Sequence, residues 1–120
     1  MMPRSILVGT MLLFLLSCGD PCSNEIQAQS DSPDRLLNAT WFVRDCGATT
    51  DFSTIVSVRS AGEPYERDKY WAFVAKGRQK LRLVWESSDH LTIECVGCEQ
   101  RDIFKKLTIM NKVKISYRID

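Results

Sequence analysis

The sequence predicts a mainly β protein, a small antiparallel meander or sandwich of about six strands, on three observations. From Leu36 onward the apolar residues recur with a period of two, the spacing that sends alternate side chains to opposite faces of a strand. These runs are rich in Val, Ile, Thr and aromatic residues, which fit a pleated, half-buried surface. Short breaks holding Gly, Pro, Ser and Asp separate them, and short connections favour antiparallel neighbours.

The elements follow in chain order. Leu37, Ala39, Trp41 and Val43 share one face of a first strand. Asn38, Thr40 and Arg44 share the other, where Phe42 is an apolar exception. A polar break runs from Asp45 to Asp51, and Phe52 to Arg59 is a second strand. Ser60 to Asp68 contains Gly62 and Pro64 and reads as a loop. Tyr70 to Ala75 is apolar on both faces, which predicts a central strand ending at a turn on Gly77. Leu81, Leu83 and Trp85 alternate with Arg82 and Glu86 in a fourth strand. After the Ser87-Ser88-Asp89 turn, Leu91, Ile93 and Cys95 alternate with Thr92 and Glu94 in a fifth. Val113, Ile115, Tyr117 and Ile119 form one face of the last. Residues 99–110 fit two patterns: a short helix with Ile103, Phe104 and Leu107 on one side, or a strand with Ile103, Leu107 and Ile109 on one face. Trp41, Trp71 and Trp85 all fall on strands, where core packing is the first reading and an exposed aromatic platform the second.

The first eighteen residues are organised differently. A basic start (Met1, Arg4) precedes an apolar run from Ile6 to Leu16, then Ser17 and Cys18. The run is shorter than the roughly 20 residues a bilayer-crossing helix needs, and it suits the apolar region of a secretory signal. The segment resembles a bacterial lipoprotein signal. That resemblance implies cleavage after residue 17, a lipid on the Cys18 thiol and, with Gly19 rather than aspartate following, an outer-membrane location facing the periplasm. The alternative is an ordinary cleaved signal with Cys18 incidental. Residues 18–35 hold Ile26 as their one large apolar side chain, so they are expected to form a flexible tether carrying the lipidated cysteine. Residues 36–120 then form a single β domain.

Composition excludes some partners. Of the 16 basic residues Arg4 leaves with the signal, so 15 face 15 acidic ones and the mature chain is near neutral. Nothing in that balance favours nucleic acid, and Lys105, Lys106, Lys112 and Lys114 read as a solvated basic face. The expected partners are the membrane, through the N-terminal lipid, and an envelope protein or the cell wall.

Two motifs stand out. In Arg44-Asp45-Cys46-Gly47-Ala48-Thr49-Thr50-Asp51 a glycine permits a positive φ while Asp and Thr side chains can cap backbone groups. It reads as a well-tied β connection or as a binding loop formed by Asp45, Cys46, Gly47, Thr49, Thr50 and Asp51. A nucleophilic Cys46 would need a base, and His90 is the only histidine. The second motif is Cys95-Val96-Gly97-Cys98. A structural disulfide, with Cys95 and Cys98 joined or one of them bound to Cys46, is the leading reading in an oxidising compartment. Thiol-redox chemistry, or zinc held by Cys46, His90, Cys95 and Cys98, are the alternatives, although zinc normally wants a more regular ligand set. No cofactor or metal is expected.

Ser32-Pro33-Asp34, the strand after it, and Arg44 through Thr54 to Val58 together resemble a family of small exported bacterial proteins of unknown function. Its members carry an Asp-Cys-Gly-Ala-Thr-Thr element, a later strand with a Trp, here Val84-Trp85, and a Leu-x-Ile strand, here Leu91-Thr92-Ile93. Arg35 stands where the family often has glycine, and Cys95 and Cys98 lie outside the pattern. The resemblance implies a β fold and an exported location and no activity. The expectation from the whole chain is a non-enzymatic, lipid-anchored binding or assembly module.

Overall fold

The computed structural model describes residues 22–47 and 50–120. The expected signal segment 1–17, the expected lipidation site Cys18 and Thr49 of the expected binding loop lie outside the described residues. The described chain is mainly β, with nine strands in two sheets. They are β1 (Ser23–Asp31), β2 (Leu37–Asp45), β3 (Ser53–Ser60), β4 (Trp71–Lys76), β5 (Lys80–Ser87), β6 (His90–Val96), β7 (Ile103–Lys106), β8 (Ile109–Met110) and β9 (Val113–Ile119). Two single turns of 3₁₀ helix, Asp68–Tyr70 and Gln100–Asp102, are the only helical pieces among the described residues. None of them is long and apolar enough to cross a membrane.

The first sheet has the order β1-β2-β3-β4-β7 with antiparallel neighbours throughout. The second has the order β5-β6-β9-β8, and there β6 and β9 run parallel. The expected sandwich is therefore present, with three strands beyond the expected six and one parallel pair. The parallel pair arises because the chain leaves the second sheet after β6, lends β7 to the first sheet and returns through β8. Residues 99–110 take the strand pattern in place of the helix. Ile103 and Leu107 pack against the core, and Leu107 N–H donates to Ala72 O at 2.9 Å, extending the ladder past β7.

One correction concerns the N-terminal segment. Residues 23–31, expected as part of the tether, form β1 and pair with β2 along their whole length, with a bulge between Ile26 and Ala28. The sequence pattern misses this strand because β1 buries almost nothing of its own. Its order comes from the backbone ladder, a disulfide from Cys22 to Cys46, and Trp85 Nε1–H of the facing sheet, which donates to Ser30 O at 3.0 Å.

The core lies between the sheets. Ala39, Val56, Val58 and Phe73 from one side meet Leu91, Ile93, Val113 and Ile115 from the other. The odd position of Phe42 also has an explanation. It lies on the outer face of the first sheet and is fully buried there, because Tyr65 and Trp71 cover it edge-on at 4.9 and 6.0 Å. The loop between β3 and β4 thus folds back over the sheet. Arg59, 6% exposed, pins it by donating from Nε to Glu63 O (2.9 Å) and from Nη1 to Asn38 Oδ1 (2.7 Å) and Thr40 Oγ1 (2.8 Å).

The strands give the sandwich two ends. Ser23 pairs with Asp45, Arg44 with Ser53, Ser53 with Lys76, and Lys80 with Val96, so these residues share one end with both disulfides. The connections at residues 32–36, 61–70, 88–89 and 111–112 share the other. Asp34 N–H donates to Ser88 Oγ (3.1 Å) and Asn111 Nδ2–H donates to Val58 O (3.0 Å), tying the sheets together there.

Candidate functional site

The loop singled out in the sequence, from Asp45 to Asp51, is bonded mostly to itself. Asp45 Oδ1 accepts from Gly47 N–H at 3.0 Å, and Gly47 has φ 124, a value that suits the residue lacking a Cβ. Both the N–H and the hydroxyl of Thr50 donate to Gly47 O at 3.2 Å. Asp51 pairs with Lys76 at 3.4 Å, and Cys46 is bonded to Cys22. These contacts match a well-tied connection between β2 and β3. The disulfide removes the Cys46 thiolate that nucleophilic chemistry would use.

Cys95 and Cys98 are joined to each other and almost fully buried, at 1% and 6% exposure. Gly97, with φ 80, forms the reversal between them, and its N–H donates to Asp120 O at 2.9 Å. A 3₁₀ turn rather than an α-helix follows the pair, so no helix terminus is present to favour a thiolate. His90 opens β6 while Cys95 lies five residues along it, a separation of about 17 Å at 3.4 Å per residue. Cys46, His90 and the Cys95–Cys98 pair are therefore dispersed. Among the described residues no group of three or more His, Cys, Asp or Glu side chains is placed to hold a metal.

The other end of the molecule carries a depression of about 420 Å³ lined by Ser87, Asp89, His90, Ile109, Lys112 and Lys114. Two turns build it. The β5–β6 turn supplies Ser87, whose hydroxyl donates to Asp89 Oδ1 at 2.7 Å, and His90. The β8–β9 turn places Asn111 and Lys112 in the left-handed region, at φ 54 and 64, as a two-residue hairpin with right-handed strand twist requires. Lys114 N–H donates to Asp89 O at 2.8 Å and locks the two turns together. Beside them the turn at residues 32–35 is rigid. Its Asp34 carboxyl is held below the usual carboxylate range, first by the Ser32 hydroxyl and then by the Leu36 N–H.

The charge in the depression is asymmetric. Neither Lys112 nor Lys114 is paired with a carboxylate among the described residues, and the one acid on the rim already accepts the Ser87 hydroxyl. Two unpaired ammonium groups, an imidazole and an apolar wall at Ile109 suit an anionic group more than a cation. His90 Nε2 is 2.8 Å from Ser116 Oγ. A histidine–serine pair acts as base and nucleophile when a third group orients the ring. No acidic side chain bonds the ring among the described residues, and Ser116 does not line the depression.

The sequence alone offers His90 as a base for Cys46 or as a zinc ligand with Cys46, Cys95 and Cys98, and the four lysines as one solvated face. In the fold they divide: Lys106 sits 5.5 Å over the Tyr117 ring, while Lys112 and Lys114 reach the depression. The readable signal was Asn111, a residue type enriched at positive φ, just before the alternating run of β9. Comparison with family models, with curated proteins and with solved structures finds no match to this chain.

Proposed function

We propose that this chain is a lipid-anchored protein of the cell envelope, facing the periplasm from the outer membrane and acting without catalysis as a binding or assembly module. The observation that carries the reading is the pairing of all four cysteines among the described residues into two disulfides. Such pairs persist in oxidising compartments. They lie behind a segment laid out like a lipoprotein signal. Binding is favoured over chemistry because every described cysteine is consumed in a disulfide and, among the described residues, no acid orients the His90–Ser116 pair. The working surface in this reading is the depression at His90, Lys112 and Lys114, offered to carboxylate or phosphate groups of an envelope protein or of the wall.

Metabolic labelling with palmitate tests the anchor. Label on the native protein, lost in Cys18→Ser together with membrane association, is the expected result; label retained by Cys18→Ser overturns the anchor. Titration with polyglutamate and with inorganic phosphate tests the surface. Amide shifts confined to residues 87–90 and 111–114, abolished in a Lys112→Glu/Lys114→Glu variant, are expected. Equal shifts in both proteins would move the site elsewhere.

A further inference from the structure

We infer that the end of the sandwich bearing the Cys22–Cys46 disulfide rests directly on the lipid surface, with Phe52 and Val96 at the interface and the His90 depression turned away. The inference rests on the proposed anchoring through Cys18.

Its basis is covalent reach. Three residues, Gly19, Asp20 and Pro21, separate Cys18 from Cys22. Four Cα–Cα steps of about 3.8 Å allow at most about 15 Å between the anchor and the first fixed point. A headgroup layer is itself about 5–7 Å thick. The expected seventeen-residue tether would have let the domain stand clear and turn freely. With β1 paired to β2 and Cys22 bonded to Cys46, that freedom is gone.

The surface brought down by this short link is apolar at two points and otherwise close to neutral. Phe52 directly precedes the Ser53 that pairs with Arg44, and its carbonyl accepts from Gly77 N–H at 2.6 Å. It is 36% exposed, with the Arg78 guanidinium 4.4 Å over its ring. Val96, 59% exposed, pairs with Lys80 across the same end. Three of the cations here are matched: Lys76 with Asp51 (3.4 Å), Arg78 with Glu25 (3.4 Å) and Arg101 with Glu99 (3.2 Å). The contact is therefore made by apolar side chains, and attraction to anionic headgroups contributes little. Leu36 and Ile109 are exposed at the opposite end, so exposure alone does not choose between the two. The three-residue link does. β1, nine residues long, spans about 30 Å, so the depression stands roughly that far above the lipid.

The test uses the mature chain from Cys18, oxidised so that Cys18 carries the single free thiol, acylated there chemically and inserted into zwitterionic nanodiscs doped with spin-labelled lipid. Amide signals of Cys46, Gly47, Thr50, Gly77 and Gly97 are expected to lose intensity. Those of Asp34, Ser88, Asp89 and Lys112 are expected to keep it. Adding anionic lipid leaves the pattern unchanged, and a ten-residue Gly/Ser insertion after Asp20 erases it. Phe52→Ser with Val96→Ser lowers the loss at Gly77 and Gly97 without shifting the unfolding midpoint. Uniform loss, loss at the opposite end, or a pattern that appears only with anionic lipid overturns the inference. Because the acyl chain is supplied chemically, this outcome is independent of the palmitate labelling, whose failure would remove the natural anchor alone.

Discussion

Replacing Cys22 and Cys46 together by serine is expected to destabilise the domain by about 3.5 kcal/mol and to loosen one half of β1. The two residues are 24 apart in sequence, so the bridge closes a loop of about 25 residues. Loop-closure entropy for that length is about 12 cal/mol/K, or about 3.5 kcal/mol at 25 °C. The same relation applied to Cys95 and Cys98, three apart, gives about 1.9 kcal/mol. Their order is thus set by chain topology. Where the loosening appears is set by the structure. Beyond the bulge at Ile26 and Ala28, β1 is held by the Trp85–Ser30 bond and by Asn38 Nδ2–H donating to Asp31 Oδ1 at 2.7 Å. Before the bulge, the disulfide is the covalent tie, beside Arg44 Nη1–H donating to Asn24 Oδ1 at 3.0 Å and the exposed Arg78–Glu25 pair. Urea unfolding measures the free energy, and the m-value should rise because the unlinked chain exposes more surface. Native-state hydrogen exchange locates the change: amides of residues 23–26 should lose protection and those of 29–31 keep most of it. A cost below about 1 kcal/mol for the Cys22/Cys46 variant, a larger cost for the Cys95/Cys98 variant, or protection lost evenly along β1 would refute the reasoning.

Other perturbations probe the rest of the fold. Arg59→Ala removes a buried cation that satisfies Asn38, Thr40 and Glu63, and should cost about 3 kcal/mol in urea unfolding. Arg82→Ala, at an exposed side chain, should cost under about 0.5 kcal/mol. Arg35 has φ 63, so Arg35→Gly should raise stability by up to about 1 kcal/mol, read as a higher melting temperature. Lys112→Gly should gain similarly at φ 64 while weakening the phosphate and polyglutamate shifts. Tyr117 donates its hydroxyl to Leu107 O at 2.5 Å, and burial pushes its pKa well above the ordinary 10.0. The folded state then keeps a proton that the unfolded chain releases. Stability is intact below pH 10 and falls as pH rises beyond it. Urea midpoints measured from pH 9 upward should decline less steeply in Tyr117→Phe than in the native protein.

What was legible in the sequence is what burial controls. β2, β3, β4, β5, β6 and β9 each place apolar residues into the core at alternate positions, and their limits follow the period to within a residue or two. β1 was not legible, because Ser23-Asn24-Glu25-Ile26-Gln27 has no face to bury and is held by a ladder and a disulfide whose partner is 24 residues away. Phe42 looked like an error in the alternation until Tyr65, from a loop that is polar overall, and Trp71, at the start of β4, closed over it. The depression was invisible for a related reason. Its parts come from two hairpin turns on strands that pair in parallel, and local spacing carries no information about a crossover through the other sheet.

The same long-range contacts decide which polar surface is open to a partner. The Asp45–Asp51 loop is the denser cluster of carboxylates and hydroxyls in the sequence, yet its described polar groups are occupied. Gly47, Thr50 and Lys76 take up Asp45, the Gly47 carbonyl and Asp51. Its cysteine is bonded to Cys22, four residues from Cys18, so anchoring at Cys18, as proposed, would direct this loop toward lipid. The depression has the opposite properties: its lysines are unmatched, its turns are braced by Asn111 and Lys114, and strands about 30 Å long separate it from the anchored end. In the proposed orientation a partner meets unmatched positive charge on a rigid frame at that end, and self-satisfied groups at the end turned to the lipid. Lys76→Gln, which leaves the Asp51 carboxylate unpaired, creates no anion site and leaves anion binding where it is, whereas Lys114→Glu sets a carboxylate against Lys112 and removes it.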